Sequence, residues 1–246
     1  MHTADIRHNR SGYYDGTAYK AIISADRSSR KKRERKAVKM GKRENAVGMA
    51  GRIAGEIEKQ PDIYGARNLS RLYLEIERKS GSRQDSDRVI VIYGQEAEAT
   101  PGQLVDGAYV MVMGEMQTYK EVPGGRIVVF VLAEYVGVVS EQVEQQNGVY
   151  LEGIVARKPI HRTTPKGRKI TEVSVKVPSA FTEGYFSFVP TICWKEYAEW
   201  AAMCREGTKV ALEGRLQSRD YKKRIDGVEA ILTAYEISAR HIEKRI

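Results

Sequence analysis

The stretch Gly207–Tyr221 combines guanidinium groups and an aromatic ring at alternating positions. Side chains at alternate positions of a β-strand point to opposite faces. The apolar members share one face, which suits a hydrophobic core: Val210, Leu212 and Leu216. The other members share the second face: Arg215, Gln217, Arg219 and Tyr221. A face that carries rings and guanidinium groups can stack on nucleobases and bind phosphates.

Three short motifs follow one another between residues 147 and 238. In the first, a strand from Asn147 ends at Pro159, and an Arg-x-x-Pro-x-Gly turn begins at Arg162. The second is Trp194-Lys-Glu-Tyr-Ala-Glu, and the third is Gly207–Tyr221. In order and spacing these motifs resemble the bacterial single-stranded DNA-binding protein family. The resemblance implies an OB barrel that binds single strands without strong sequence preference.

The resemblance also assigns base-stacking roles to four aromatic residues: Phe181, Phe188, Trp194 and Tyr221. Phe188 and Trp194 are six residues apart, so they share one strand face. A lone aromatic residue in a strand is more often part of the core. Four aromatic residues at four expected positions favour stacking, which contributes roughly 1–3 kcal/mol per base.

Cationic side chains surround these rings in the sequence. Arg215 and Arg219 lie on the aromatic strand itself. One further group flanks the first predicted hairpin of the barrel: Arg157, Arg162, Lys166 and Arg168. Another group lies in its last hairpin: Lys222, Lys223 and Arg224. Exposed hairpins are often charged for solubility alone. Because Lys222–Arg224 directly follow Tyr221, phosphate binding is the favoured interpretation there.

An internal repeat relates the two halves of the chain, because three segments recur at offsets of about 100 residues. The pairs are Glu44–Ile53 with Gln146–Val155, Asp106–Gln117 with Glu206–Gln217, and Leu132–Val136 with Leu232–Glu236. The repeat predicts an all-β fold with short helices, in which two tandem OB barrels follow a basic N-terminal arm. The predicted boundaries are 1–44 for the arm, 45–140 for the first barrel and 147–240 for the second.

Turn residues separate the predicted elements. Five strands are predicted in the first barrel: Ala46–Glu58, Leu69–Glu77, Arg88–Tyr93, Tyr109–Tyr119 and Arg126–Val138. The second barrel should contain a helix over Lys195–Arg205, and the matching segment Gln95–Gly107 a shorter or broken one. Pro190 interrupts the aromatic strand, which predicts a sheet edge or a bulge at that position.

The first barrel is predicted to be a poor platform for single strands. Its segment 45–141 carries a net charge of −4, whereas residues 142–246 carry +5. The repeat aligns Asp87 with Phe188, Tyr93-Gly94 with Trp194, and Glu121 with Tyr221. An assembly or partner-binding role is therefore expected for this barrel.

Residues 1–44, the predicted arm, form a strongly basic segment. Residues 1–44 carry +8, and ten of the seventeen residues in Arg27–Arg43 are Lys or Arg. Such a block cannot bury apolar surface. It is either a solvated tail or a segment that lies along phosphates and releases counterions.

Enzymes, metalloproteins and membrane proteins are not indicated. The four histidines lack the spacing of a metal site or a catalytic triad, and no cofactor is expected. No apolar run of about 18 residues suggests a membrane span or a signal peptide, which predicts a cytoplasmic, nucleoid-associated protein. The family's acidic tail is missing from the final residues Ile242–Ile246, so partner recruitment by that route is not expected.

These patterns predict non-catalytic, largely sequence-independent binding of single-stranded DNA in replication, recombination or repair. The family's habit of presenting four barrels implies a homo-oligomer, with a dimer as the expected state. Two alternatives stay open. The chain could be an assembly adaptor for replication or recombination proteins with weak DNA affinity, or it could bind single-stranded RNA, since stacking does not read the 2′-hydroxyl.

Overall fold

The structure is a computed structural model that describes residues 44–78, 85–121, 125–141, 143–225 and 228–245. The predicted basic arm lies outside the described residues except for Glu44. Both barrels belong to one unit, Arg43–Ile246. The first half contains six strands: β1 (Asn45–Ile53), β2 (Glu58–Gln60), β3 (Leu69–Glu77), β4 (Ser86–Gly94), β5 (Tyr109–Lys120) and β6 (Ile127–Val138). The second half contains six more and one helix: β7 (Gln146–Val155), β8 (Ile160–Thr163), β9 (Lys169–Pro178), β10 (Phe186–Trp194), α1 (Lys195–Ala202), β11 (Lys209–Ile225) and β12 (Val228–Lys244).

Each half closes into a five-stranded barrel. In the first, β1 pairs with both β3 and β5, and β4 pairs in parallel with β6. In the second, β7 pairs with both β9 and β11, and β10 pairs in parallel with β12. This connectivity is the OB fold. The predicted pair of tandem OB barrels is confirmed.

Period-two patterning forms the cores of these barrels. On β9, alternate residues from Thr171 to Val177 are buried, whereas the residues between them are polar and partly exposed. The predicted strand Ala46–Glu58 is instead two strands, because the chain turns at Gly55, whose φ is +90°. The helix α1 ends at Ala202, three residues earlier than predicted. The segment after β4 forms only a 3-10 helix, Gln95–Ala97.

The two barrels are joined by antiparallel pairing of β1 with β7. Val47 pairs with Val149 at the centre of an approximate twofold relation. Equivalent asparagines brace this junction in the same way. The Asn45 side chain accepts from Met116 N and donates to its carbonyl oxygen, both at 2.9 Å. Asn147 bonds Leu216 likewise at 2.9 and 2.7 Å.

The strand pairings correct one of the three repeat matches. Gly114 pairs with Ala133, and its equivalent Gly214 pairs with Ala239. Ala133 therefore corresponds to Ala239, and the predicted match of Leu132–Val136 with Leu232–Glu236 is wrong by six residues. The longer β11–β12 hairpin accounts for the shift, which the short motif could not reveal.

Both Gly114 and Gly214 lie at the β-bulge of their hairpin. A Cβ atom on Gly114 would stand 2.1 Å from the carbonyl oxygen of Leu132. Gly114→Ala is therefore expected to lower the free energy of unfolding by about 1–3 kcal/mol, measured by urea denaturation. Gly148→Ala is the control, because its Cβ would meet only the Gly48 carbonyl oxygen at 3.5 Å. Equal effects of the two substitutions would contradict the steric argument.

Candidate nucleic-acid interface

The outer face of β10 carries aromatic rings and is open to solvent over its first residues. Ser187, Val189 and Cys193 point inward and are buried. The alternate positions point outward, where Phe186 is 47% exposed and Phe188 is 43% exposed. Trp194 lies on the same face and is half-buried. The predicted sharing of one face by Phe188 and Trp194 is thus seen in the structure.

Phe186 and Lys176 also belong to this face, although the sequence analysis did not name them. Lys176 on β9 pairs in register with Phe188, and its Nζ lies 4.5 Å from the centroid of the Phe186 ring. The cation is therefore held among the rings, where it can meet a phosphate. The period-two spacing of Phe186 and Phe188 was the available signal.

Pro190 occupies the middle of the same strand. The pairing of β10 with β9 keeps one continuous register from Phe186 to Trp194, so there is no bulge at Pro190. Pairing with β12 begins only at Thr191. At Pro190, β10 therefore has an unpaired edge, where the missing N–H removes no ladder hydrogen bond.

Trp194 is fixed at its edge by a hydrogen bond from Nε1 to Ser238 Oγ, at 3.1 Å. Ser238 pairs in register with Arg215 on β11. Arg215 therefore lies on the predicted face, but its guanidinium donates to Asp87 in the first barrel. Burial lowers the pKa of Arg215, and the Asp87 charge opposes that shift. Arg215 is thus engaged in the contact between the barrels.

Asp87 is the centre of a polar network between the barrels. Its side chain is only 2% exposed, and it accepts from Arg78 Nη2 at 2.6 Å and from Ser218 N at 3.0 Å. At the opposite junction, Ser187 Oγ accepts from Thr118 N at 2.9 Å. The two junctions are equivalent, with a charged centre at one and a hydroxyl at the other.

This equivalence corrects the predicted alignment of the barrels by one residue. Arg88 N donates to Ser218 Oγ as Phe188 N donates to Thr118 Oγ1. Arg88, and not Asp87, therefore stands at the position of Phe188. By the same register Tyr93 corresponds to Cys193, and both are buried in the core.

The corresponding outer face of the first barrel is closed. Ile90 and Ile92 point outward on β4, yet they are buried in a second hydrophobic cluster with Ile63 and Phe130. Phe181 of the second barrel packs on this cluster, with its ring centroid 6.2 Å from that of Phe130. Phe181, a predicted stacking residue, is therefore half-buried between the barrels.

The β11–β12 hairpin carries the remaining predicted residues of its strand. Arg219 is exposed, and its guanidinium carbon lies 5.8 Å from the ring centroid of half-buried Tyr221. Lys222 Nζ lies 2.6 Å from Glu229 across the hairpin. Arg224 is exposed, and Lys223 lies between Lys222 and Arg224 on the strand.

The first hairpin of the second barrel is largely exposed. Arg157, Lys166 and Arg168 are all exposed. Arg162 on β8 donates to Glu172, whose side chain lies on the outer face of β9 with Lys176. The structure therefore leaves these cations exposed, and Arg162 contacts the outer face of β9.

Within the described residues, no group of three or more His, Cys, Asp or Glu side chains could share a metal ion. No helix in the described part of the chain has the length and apolarity needed to cross a membrane.

Two joined barrels, of which the second carries an aromatic and basic outer face on β10, define a tandem OB-fold protein. Residues 146–244 match the model of the single-strand binding protein family. The match covers the second barrel, and the resemblance predicted from the sequence is confirmed. A search among curated proteins finds no match.

Solved structures share the tandem arrangement. A deletion mutant of the single-stranded DNA binding protein from Thermus aquaticus is 24% identical with a TM-score of 0.61, covering 82% of this chain and 94% of that chain. The wild-type Thermus aquaticus protein is 22% identical with a TM-score of 0.59, and the coverages are 82% and 93%. These likenesses show a common fold across both barrels.

Proposed function

We propose that this protein binds single-stranded DNA through the outer face of β10, without catalysis and largely without sequence preference. The observation that carries the proposal is the row of solvent-exposed rings, Phe186 and Phe188, in line with Trp194. Every base has a π-face, so such a row binds bases of any sequence. Binding of this kind protects or organises single strands in replication, recombination or repair.

The surrounding cations are proposed to bind the phosphates. They lie on the two hairpins of the second barrel and on the face itself: Arg157, Arg162, Lys166, Arg168, Lys176, Arg219, Lys222, Lys223 and Arg224. Tyr221 is proposed to extend the stacking row along β11. Arg215 acts chiefly as a bridge to Asp87 and contributes positive potential beside Trp194.

The two barrels are proposed to have different functions: residues 147–240 bind DNA, and residues 45–140 serve assembly. The closed face formed by Ile90 and Ile92 supports this division, because both side chains are buried in a hydrophobic cluster and are not open to a base. The protein is further proposed to be a homodimer in the cytoplasm, associated with the nucleoid. Sedimentation equilibrium tests the dimer, and a single-chain mass would exclude it.

Tryptophan emission during titration with oligo-dT tests the proposed function. Trp194 should be quenched, because a base stacks on its ring. If about five cations contact phosphates, affinity should fall roughly 100-fold between about 50 and 200 mM salt. An affinity independent of salt would contradict phosphate binding.

Two substitutions identify the tryptophan that responds. Trp200, on α1, packs against the core and should not contact DNA. Quenching should therefore persist in Trp200→Phe and disappear in Trp194→Phe. Titration with oligo-U tests the identity of the ligand. Tighter binding of oligo-U than of oligo-dT would indicate that RNA, and not DNA, is the natural ligand.

A further inference from the structure

The exposed aromatic side chains of the described residues are concentrated in one region. The four most exposed are Tyr185 at 68%, Tyr64 at 58%, Phe186 and Phe188. Three of them lie on β10 or directly before it. The fourth, Tyr64, belongs to the first barrel and has no part in the site described above.

Tyr64 lies at the border of the aromatic face. Its ring centroid is 6.3 Å from that of Phe181, in the segment that leads into β10. On β5, Thr118 Oγ1 accepts from Phe188 N at 3.1 Å, and Lys120 N donates to the Tyr64 hydroxyl at 3.4 Å. Residues two apart on a strand are separated by about 7 Å. The last three residues of β5, Thr118 to Lys120, thus connect the Phe188 backbone to Tyr64.

The backbone at Tyr64 is unusual for a tyrosine. Tyr64 and Gly65 have φ values of 45° and 88°, and reciprocal hydrogen bonds of 3.1 and 2.8 Å between Ile63 and Ala66 close the turn. Two-residue turns with two positive φ values favour Asn and Gly. The buried Ile63 already anchors the turn in the core. A tyrosine at this position therefore costs backbone free energy that asparagine or glycine would not, which suggests a role outside folding.

We propose that Tyr64 stacks on a base of the bound strand where it leaves β10, so that the strand crosses from the second barrel onto the first. This inference rests on the proposed binding of single-stranded DNA. Lys120, which is exposed beside Tyr64, supplies a cation for the phosphate at the crossing. The first barrel then contributes to binding at its border, although its own β4 face is closed.

Tyr64→Asn tests the proposal, because asparagine suits the turn and removes the ring. The urea midpoint should stay unchanged or rise. Affinity for an oligo-dT of about 30 nucleotides should fall roughly 5- to 150-fold, whereas an oligo-dT of about 8 nucleotides, confined to the second barrel, should bind as before. Tyr64→Phe keeps the ring and should bind both oligonucleotides like the wild type.

Val105→Asn is the matched control, since Val105 is also an exposed side chain of the first barrel, at 57%. It should change neither affinity. Equal affinity of Tyr64→Asn and wild type for the long oligonucleotide would overturn the inference. Equal losses for both lengths would also overturn it, because Tyr64 would then only support the β10 face. A changed sedimentation coefficient without DNA, at unchanged affinity, would assign Tyr64 to contacts between copies. Failure of the wild type to bind either oligonucleotide would reject the proposed function itself.

Discussion

Replacing Phe188 and Trp194 together with alanine should weaken oligo-dT binding by at least about 2 kcal/mol, or roughly 30-fold. Both side chains lie on the outer face of β10, and the substitutions remove the two rings on which bases would stack. Because the double variant lacks the reporting tryptophan, the measurement is fluorescence anisotropy of a labelled oligonucleotide. The loss should persist at high salt, since stacking does not depend on counterion release.

Folding should be little affected by this double substitution, because Phe188 is 43% exposed and Trp194 only half-buried. Met203→Ala with Val105→Ala removes two other exposed apolar side chains, at 73% and 57%, and serves as the matched control. The control should bind like the wild type. Binding of the Phe188 and Trp194 variant within twofold of wild type would show that β10 is not the platform.

Part of this site could be predicted from the sequence alone. Period-two spacing places Phe188 and Trp194 on one face, and the strand pairing agrees. The same spacing includes Phe186, which motif matching did not single out. Lys176 could not be placed, because its position beside Phe188 depends on the register between β9 and β10.

The role of Arg215 could not be predicted, because its partner Asp87 is 128 residues away in the chain. Alternation shows which face a side chain occupies but not what covers that face. The misplacement of Asp87 has a related cause. The repeat offset is 102 residues between β1 and β7 but 100 between β4 and β10, so short motifs cannot fix every register.

The closed face of the first barrel did leave a signal in the sequence. Val89–Tyr93 reads Val-Ile-Val-Ile-Tyr, a continuous apolar run that is typical of a strand buried on both faces. The equivalent segment of the second barrel, Val189–Cys193, is interrupted by Pro190 and Thr191 and lacks such a run.

Asp87→Ala should lower the free energy of unfolding by about 3–5 kcal/mol, because it breaks a buried ionic network without removing its cations. The Arg78 and Arg215 side chains are only 10% and 30% exposed, and both would lose their carboxylate. The amide N of Ser218, buried against the same side chain, would lose its acceptor. Urea denaturation measures the loss. Asp87→Asn keeps an acceptor for Ser218 and should cost less than alanine.

Glu229→Ala is the matched control, since it removes a carboxylate from the exposed pair with Lys222. Exposed ion pairs contribute at most about 1 kcal/mol, so the control should be nearly neutral. Oligo-dT affinity should not fall in Asp87→Ala, because Arg215 would be released beside Ser238 and Trp194 with its charge unpaired. If Asp87→Ala were no more destabilising than Glu229→Ala, the Asp87 network would contribute nothing measurable to the stability of the junction between the barrels.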